Sequence, residues 1–487
     1  MARETPVLER VWAEAFPELS REVAPVSTPE PRLLALNDEL ARDLGLDPAY
    51  LRSDAGVRFL TGESSGLSAA PVAQVYAGHQ WGVYKPILGD GRAALLGERR
   101  DRAGRLRDVH LKGIGPTSMS RVDGYAVVGP MLREYLMGEA MHALGVPTTR
   151  ALAVVATGAP RHHDEQVLPG AVLARTASSH VRFGSFSYAG AHGDPALLRR
   201  LADHLIARHY PRARGADHPY RALLGEIVDA SAHLTAQWMR TGFVHGVLST
   251  DNVLACAETI DYGPCAFLDA YEPGAYFSSI DRFGRYAYDK QPAIMRWNLE
   301  QLGHALSPLL ADDASTVEEV AVEIIDTFDG RYRSHWAAAF RDKLGLEDRV
   351  ESSVVTELTE AALNLQADHR VDFTGFWRDL AAAAEGDERP LRDRFLGPAP
   401  ELDAWLNRWK ALTPNSGLIR AVNPVYIARN HIVEEALDAA TKGDLAPFND
   451  LLALVHEPYT ERPGGVYRRY ARPAPDGAPR HRTSCGT

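Results

Sequence analysis

The sequence HGVLSTDNVLACAETIDYG, which spans His245 to Gly263, contains an unusual density of chemically useful side chains. Asn252 supplies an amide oxygen and Asp261 a carboxylate, and both are hard ligands of the kind that Mg²⁺ and Mn²⁺ prefer. Gly246 and Gly263 favour turns on either side of this pair. The segment therefore predicts a loop that binds a divalent metal ion.

The same segment follows the order of the catalytic and metal-binding loops of protein kinases, H-R-D-x-x-x-x-N followed by D-F-G. His245 stands at the histidine position, Asn252 at the asparagine position, and Asp261 to Gly263 at the D-F-G position. The kinase aspartate is replaced by Val247, and valine cannot accept a proton. Asp251 is a candidate base from a different backbone position, with a loop-capping aspartate as the alternative.

A lysine and a glutamate upstream extend this pattern. Lys112 ends the apolar strand DVHLKG, and its ammonium is suited to a nucleotide phosphate. Glu134 lies on PMLREYLMGEAMHALGVP (Pro130 to Pro147), the clearest helix of the chain. A strand lysine paired with a helix glutamate is the arrangement of protein kinases. The alternatives are an edge lysine that extends into solvent and a solvent-facing glutamate.

Two further elements carry groups that suit phosphate. ILGDGRAALLGE (Ile87 to Glu98) predicts two strands around a turn in which Gly89 and Gly91 let the backbone approach a phosphate and Arg92 adds charge. A plain hairpin is the alternative for this element. Arg175 and Arg182 flank a short polar stretch, and their planar guanidinium groups suit phosphate clamping. Ordinary surface charge is the alternative for both arginines.

Composition narrows the classes of protein that are possible. With 487 residues, the chain allows about three domains or one large two-lobed unit. It is 45% hydrophobic and 24% charged, as globular proteins are, and its net charge of -11 argues against nucleic-acid or anionic-membrane binding. Three cysteines favour a reducing cytoplasm. We find no signal peptide and no run of about 20 apolar residues that would span a membrane.

The order of elements predicts an α+β, protein-kinase-like fold with a β-rich N lobe and a helical C lobe. PRLLALNDELARDLGLD (Pro31 to Asp47) predicts a helix, RALAVVAT and AVLARTA predict strands, and helical patterns dominate from about residue 291. We predict an N-terminal extension over 1–75, an N lobe over 76–175, a C lobe over 176–300, a helical region over 301–460 and an extended, mobile tail over 461–487.

These residues resemble the selenoprotein O family of protein-kinase-like adenylyltransferases. The similarity runs in order from about residue 16 to 440. The blocks that carry it are PRLLALNDELARDLGL, YAGHQWG, LGDGRAALLGE, HLKGIGPTSMSR, DGYAVVGPMLREYLMGEAM, LGVPTTRAL, ARTASSHVRFGSF, GFVHGVLSTDN, TIDYGPCAFLDAYEP and NPVYIARNHIVEEAL.

The resemblance implies a kinase fold that binds ATP in a reversed orientation, so that the α-phosphate faces the acceptor. The implied reaction transfers AMP to Ser, Thr or Tyr hydroxyls of proteins and releases pyrophosphate, with Mg²⁺ or Mn²⁺ as the metal. UTP is a further candidate donor, and the chain itself is a candidate acceptor.

The resemblance also implies a role for each matching residue. Asp251 would be the base, Glu134 would position Lys112, and Asn252 and Asp261 would bind the metal. The residues that would contact the nucleotide are Gly89, Gly91, Arg92, Lys112, Asp123, Gly124, Arg175, Arg182 and Asp261.

Members of this family carry selenocysteine or cysteine as the third residue from the end, and Cys485 occupies that place here. In some members this residue is thought to pair with a cysteine of the activation segment. The corresponding segment here, LDAYEPGAYFSSID, contains Phe277 and no cysteine, which argues against such a redox clamp. Cys256 and Cys265 are alternative partners, although small buried hydrophobes are the simpler interpretation of both.

Two other functions remain open at this point. A small-molecule kinase is one, but such enzymes usually keep the aspartate that Val247 replaces. A nucleotide-binding pseudokinase scaffold without chemistry is the other, but a scaffold has no need of both Asp251 and Asp261.

Overall fold

The computed structural model describes residues 6–25, 28–63, 69–121, 123–163, 166–311, 317–475 and 477–483. The strands within these ranges are β1 (Ser20–Glu22), β2 (Arg32–Leu36), β3 (Val72–Gln74), β4 (Gly78–Gln80), β5 (Val83–Lys85), β6 (Ala93–Arg100), β7 (Leu106–Lys112), β8 (Arg150–His163), β9 (Gln166–Ala177), β10 (Phe243–Val244) and β11 (Ala266–Phe267).

The helices follow the same numbering along the chain. They are α1 (Val11–Ala15), α2 (Asp38–Asp43), α3 (Pro48–Leu51), α4 (Asp54–Phe59), α5 (Val128–Ala143), α6 (Phe183–Ala191), α7 (Pro195–Arg208), α8 (Pro219–Thr241), α9 (Gln291–Leu310), α10 (Val317–Lys343), α11 (Ser352–Asp368), α12 (Phe373–Ala384), α13 (Arg389–Arg392), α14 (Pro400–Lys410), α15 (Ser416–Val422), α16 (Asn430–Thr441), α17 (Ala446–His456) and α18 (Gly465–Ala471).

A seven-stranded antiparallel sheet forms the N-terminal part, in the order β1-β3-β6-β7-β9-β8-β2. Successive side chains of a strand point to opposite faces. On β7, Val109 and Leu111 therefore join the apolar core that residues of α2 to α4 cover. His110 and Lys112 point to the opposite face, and Lys112 reaches the cleft between the sheet and the helical part. The predicted strand that ends in Lys112 is confirmed.

Helix α5 covers the inner face of the sheet and confirms the predicted helix. It packs against β8 and β9 on one side and against α16 and α17 on the other. Because both sides are covered, Arg133 and Glu134 are buried together with the apolar residues of this helix. Gly145, with a φ of 77°, lies in the left-handed conformation that glycine adopts readily after a helix end.

The helical part is built from two groups of helices. Helices α8, α9 and α10 pack against one another below the cleft. Helices α11, α12, α14 and α15 contribute to a second core, which includes the buried rings of Trp377, Trp405 and Trp409. The short ladder of β10 and β11 lies at the base of the segment that contains Asp251 and Asp261. The predicted α+β, two-lobed architecture is confirmed.

No helix in the described ranges combines the length and apolar character that crossing a bilayer requires.

The prediction of one helix over Pro31 to Asp47 is wrong in its first half. Residues Arg32–Leu36 form β2, which pairs with β8 at the edge of the sheet. The helix begins only after Asn37, whose side chain accepts a hydrogen bond from Leu40 N at 3.0 Å. The strand pairing determines the first half, and the capping asparagine determines where the helix begins.

The prediction of a strand before the glycine turn is also wrong. The hairpin of β4 and β5 ends at Lys85, and residues 86–92 form a loop that leads directly into β6. Within that loop, the amides of Leu88 and Gly89 both donate to the carbonyl of Tyr76. These bonds fold the chain back on itself, which leaves no extended partner for a strand.

The tail contains more structure than the predicted extended chain. Residues Gly465–Ala471 form α18, and the buried guanidinium of Arg429 donates to the carbonyl of Ala471 at 3.0 Å. Further along, the amide of Thr483 donates to Phe277 O at 2.9 Å, and Ser279 N donates to Thr483 O at 2.8 Å. The tail is therefore paired with the activation segment. Cys485 lies outside the described residues, and the predicted domain boundaries stay predictions.

Candidate active site

A cleft of about 340 Å³ lies between the sheet and the helical part. It brings together the predicted site residues from six separate elements of the chain. Those that line it are Gly89, Gly91, Arg92, Lys112, Glu134, Arg175, Arg182, Asp251, Asn252 and Asp261.

Asp123 and Gly124 do not line this cleft. The carboxylate of Asp123 is exposed and accepts a hydrogen bond from Tyr125 N at 3.0 Å. Gly124 has a φ of 74°, and a Cβ at this position would lie 2.5 Å from the backbone of Gly115. Both residues therefore shape the turn before α5.

Three cationic side chains converge on Asp261. Lys112 Nζ lies 2.7 Å from Asp261 Oδ1, Arg175 Nη1 lies 2.9 Å from the same oxygen, and Arg182 Nη1 lies 2.9 Å from Oδ2. Burial alone would raise the pKa of Asp261, but the charges of Lys112, Arg175 and Arg182 outweigh it and hold that pKa well below its usual range. Asp261 is therefore ionised, as a metal ligand must be.

The register of the sheet places two of these cations side by side. His110 on β7 lies opposite Arg175 on β9, and Lys112 is two residues further along the same face. Lys112 Nζ also donates to Glu134 Oε1, and Arg175 Nη1 lies 3.6 Å from the other oxygen of Glu134. The predicted pair of a strand lysine and a helix glutamate therefore forms, and a second cation from the neighbouring strand shares it.

The carboxylate of Asp251 has a different kind of environment. Gln80 Nε2 donates to Asp251 Oδ2 at 3.1 Å, and Ser249 Oγ donates to Oδ1 at 2.7 Å. Arg182 contacts this residue only through its backbone carbonyl. Asp251 is 5% exposed, so neutral donors hold a buried carboxylate at the cleft wall.

The hairpin of β4 and β5 supplies two contacts that sequence reasoning missed. Besides Gln80, His79 donates from its backbone amide to Thr250 Oγ1 at 2.9 Å, next to Asp251. These residues belong to YAGHQWG, a block that carried the family resemblance but no chemical signal of its own. Gln80 and Asp251 are 171 residues apart in the sequence, so a long stretch of chain separates the hairpin from this loop.

The glycine turn is braced from within by an acidic residue. Gly89 has a φ of 60°, which glycine adopts readily, and a Cβ there would lie 1.9 Å from the sulfur of Met119. Asp90 accepts hydrogen bonds from Gln74 N at 3.0 Å and Tyr76 OH at 3.2 Å, and its Oδ2 lies 3.1 Å from His110 Nε2.

The surroundings of Asp90 keep its carboxylate ionised. Burial would raise the pKa of Asp90, but His110 and Arg182, together with the amide of Gln74, lower it to about 2. The guanidinium of Arg182 also lies over the ring of Tyr76, 4.7 Å from its centroid. Arg182 is therefore held between the glycine turn and the segment that contains Asp251 and Asp261.

Arg133 is a further residue whose importance was missed. Its guanidinium donates to Gly263 O at 3.0 Å and to Cys265 O at 2.6 Å, and it lies 2.9 Å from Glu434 Oε1. The bonds join α5 to the chain just after Asp261. Glu134 is the next residue of α5. One turn of this helix therefore supplies both the carboxylate that contacts Lys112 and the guanidinium that holds the backbone just after Asp261.

The predicted metal pair fits Mg²⁺ or Mn²⁺ by the chemistry of its donors. Asn252 Nδ2 donates to Val247 O at 2.9 Å, which leaves the amide oxygen for a ligand. Within the described residues, no group of three or more His, Cys, Asp or Glu side chains could hold a metal. Mg²⁺ is commonly bound by only one or two protein carboxylates, with water and phosphate oxygens completing its shell. One amide and one carboxylate therefore suffice if a nucleotide is present.

Of the two described cysteines, Cys265 is buried and Cys256 is partly buried. Burial raises the pKa of Cys265 to about 12 and raises the pKa of Cys256 well above its usual range. Both thiols are free. The burial of Cys265 supports its interpretation as a small buried hydrophobe, whereas Cys256 is only partly buried.

A two-lobed α+β fold with this lysine–glutamate pair facing an Asn-and-Asp loop is the architecture of protein-kinase-like, nucleotide-binding proteins. A family model described as protein adenylyltransferase SelO matches residues 7–456. The chain belongs to this family, and it is a nucleotidyltransferase. The predicted resemblance is thereby confirmed.

Individual relatives are similar over nearly their full length. A protein nucleotidyltransferase YdiU from Mycolicibacterium paratuberculosis is 54% identical, with 100% of this chain and 97% of the relative covered. Proteins of the same name are 52% identical in Pseudarthrobacter chlorophenolicus, with 100% and 99% covered, and 52% identical in Cereibacter sphaeroides, with 95% of both chains covered.

Proposed function

We propose that this enzyme transfers AMP from ATP to Ser, Thr or Tyr hydroxyls of proteins, with the nucleotide bound so that its α-phosphate lies beside Asp251. The observation that carries the proposal is the separation of charge in the cleft. Lys112, Arg175 and Arg182 gather at Asp261, whereas Gln80 and Ser249 hold Asp251 by neutral donors. Cations suit the leaving pyrophosphate, and a carboxylate held only by neutral donors suits a proton acceptor.

The proposed chemistry balances at the α-phosphorus. The acceptor hydroxyl passes its proton to the carboxylate of Asp251, and its oxygen forms a bond to the α-phosphorus. The bond between that phosphorus and the oxygen bridging to the β-phosphate breaks, and pyrophosphate leaves with the electron pair. Lys112, Arg175 and Arg182 stabilise the negative charge that develops on the leaving group, and Glu134 keeps Lys112 in place.

We further propose that Asn252 and Asp261 hold Mg²⁺ or Mn²⁺ together with phosphate oxygens. When bound, the metal neutralises phosphate charge and favours departure of pyrophosphate. Asp261 and Asn252 would hold the metal, while Lys112, Arg175 and Arg182, which contact Asp261, would supply positive charge to the phosphates. Gly89 and Gly91 let the loop backbone approach the nucleotide, and Arg92 adds charge beside it.

Finer features of the reaction are also proposals. UTP carries the same triphosphate and is proposed as a second donor, and hydroxyls of the chain itself are proposed as acceptors. We place the reaction in a reducing cytoplasm, because the chain has only three cysteines. Its net charge of -11 supports protein rather than nucleic-acid substrates.

The test uses ATP labelled separately at the α- and γ-phosphates, with divalent metal and candidate acceptor proteins. We expect label in protein only from the α position, together with a mass increase that corresponds to AMP. Label transferred from the γ position would identify a kinase instead. Tight ATP binding without any transfer would identify a scaffold. Both results would contradict the proposed function.

A further inference from the structure

Exposed apolar side chains are concentrated in the two segments that contribute Trp81 and Ile280 to the lining of the cleft. Of the eleven large hydrophobic residues that are exposed within the described residues, six belong to two segments that meet there. We call these six residues the apolar rim. They are Trp81, Val83, Tyr84, Ile87, Ile280 and Phe283.

The two halves of the rim are joined by specific contacts. Trp81 and Ile280 both line the cleft. The amide of Trp81 donates to Tyr286 OH at 3.3 Å, and the two rings lie 4.9 Å apart. On the other side of that loop, the carboxylate of Asp281 accepts hydrogen bonds from Arg285 N and Tyr286 N at 2.9 Å each. The rim is therefore a built surface rather than two independent loops.

The rim begins directly at the candidate base. The hairpin that carries Trp81, Val83 and Tyr84 is the one whose Gln80 holds Asp251 and whose His79 contacts Thr250. An acceptor residue must bring its hydroxyl to Asp251. The residues on either side of that acceptor must then lie across the rim.

The charge around the rim differs in sign from that of the whole molecule. Lys85, Arg121 and Arg282 are exposed there, and Arg285 is half-buried. The acidic side chain in the same loop, Asp281, is buried and already hydrogen-bonded. A chain of net charge -11 thus presents a basic, apolar mouth. Such a surface is complementary to a partner with apolar and acidic side chains.

We propose that the apolar rim binds the acceptor segment of the protein substrate. The segment that fits is extended, with aliphatic or aromatic residues on either side of the hydroxyl residue and with acidic residues next to them. Side chains of Val83 and Phe283 become buried on docking, and Lys85 and Arg282 pair with the acids. This inference rests on the proposed function and specifies its substrate class.

The test compares two synthetic peptides that each contain one threonine. The first has Leu and Phe flanks with Glu beyond them, and the second has Asn and Gln flanks with Lys in place of Glu. AMP incorporation from α-labelled ATP is measured on the full chain. We expect kcat/KM to be about tenfold higher or more for the apolar, acidic peptide.

Rim variants then identify the surface that causes the preference. Val83→Ser and Phe283→Ser are expected to lower kcat/KM for the apolar, acidic peptide by about tenfold each, with unchanged ATP affinity. Leu396→Ser is the matched control, because Leu396 is 86% exposed outside the rim. The double variant Lys85→Glu and Arg282→Glu should reverse the peptide preference. Thermal unfolding of each variant verifies that it is folded.

The outcomes separate this inference from the function it rests on. If the wild-type chain labels no peptide or protein from α-labelled ATP, the proposed function fails. If it labels peptides without preference, or if the rim variants behave like the Leu396 control, the docking surface fails while the function stands. Rim variants that change only self-association, with peptide labelling as in wild type, would assign the surface to a second copy and also overturn the inference.

Discussion

The two carboxylates of the loop, Asp251 and Asp261, differ in what surrounds them. Asp261 faces three cations, and their charges hold its pKa well below the usual range despite its burial. Asp251 faces an amide and a hydroxyl. These different surroundings support the two roles proposed for chemically identical groups, a charged ligand for Asp261 and a proton acceptor for Asp251. Position 247, where kinases have the base, also lines the cleft but carries valine.

The first prediction concerns Asp251. Asp251→Asn keeps the shape of the side chain but removes its ability to accept a proton. We expect AMP transfer to fall by at least about a hundredfold, since general base catalysis contributes about that much or more. ATP affinity, measured by calorimetry, should change little because the three cations are untouched. Asp368→Asn, at the exposed end of α11, is the control. An Asp251→Asn enzyme with wild-type turnover would exclude this residue as the base.

At the scale of elements, β6 and β7 place two carboxylates opposite each other. Glu98 on β6 pairs with Asp108 on β7, and both are buried. The carboxylate of Asp108 contacts Arg208 Nη2 at 2.7 Å and His180 Nδ1 at 3.0 Å. Glu98 accepts from Trp12 N at 2.7 Å through one oxygen, and its other oxygen has no partner. Burial, reinforced by the charge of Asp108, raises the pKa of Glu98 to about 7.

This raised pKa predicts a specific dependence of stability on pH. In the unfolded chain the pKa of Glu98 is near 4.5, and in the folded chain it is about 7. The contribution of the protonated group is therefore fully present below about pH 4.5 and is lost as the pH rises through 7. Removing the group should flatten the stability profile across this interval.

The measurement is urea-induced unfolding of wild type and Glu98→Gln at a series of pH values. The variant should gain on the order of 2 kcal/mol relative to wild type between pH 5 and pH 8, because each pKa unit corresponds to about 1.4 kcal/mol. Other titrating groups are common to both proteins and cancel in the difference. Parallel profiles for the two proteins would show that Glu98 is ionised in the folded state.

At the scale of the whole molecule, the C-terminal tail crosses from the helical part to the activation segment. Thr483 exchanges backbone hydrogen bonds with Phe277 and Ser279, and its hydroxyl donates to Pro264 O at 2.7 Å. Arg482 lies over the ring of Tyr276, 4.6 Å from the centroid. Pro264 lines the cleft, so residues near the end of the chain support one wall of the candidate active site.

Truncation after Pro475 tests this support. We expect faster hydrogen exchange at the amide of Ser279, which loses its acceptor, and in the neighbouring residues up to Ile280. Exchange in β7 should stay unchanged and serves as the internal control. Cys485→Ser in the full chain separates loss of the thiol from loss of the hydrogen bonds. Unchanged exchange at Ser279 after truncation would mean that the tail contributes no stability there.

The sequence predicted those elements in which apolar residues recur at a clear helical or strand spacing. Helix α5 and strand β7 follow from repeats of apolar residues, and these two elements bring Glu134 to Lys112. The helix predicted from Pro31 failed because edge pairing with β8 outweighed the helical pattern. The strand predicted before Gly89 does not form, because the amides of Leu88 and Gly89 donate to the carbonyl of Tyr76 and shape the segment into a loop. Pairing of this kind joins residues distant in sequence and leaves little local signal.

The sequence alone determined the class of the protein and the identity of its principal charged groups. The order of Lys112, Glu134, Asn252 and Asp261 along the chain is visible in the sequence, and comparison with the kinase motifs detects it directly. Only the tertiary structure decided which groups contact Asp251, the proposed base, and which exposed residues lie beside it. Hydrogen bonds act over about 3 Å, whereas Gln80 and Asp251 are 171 residues apart, so only the folded chain can bring them together.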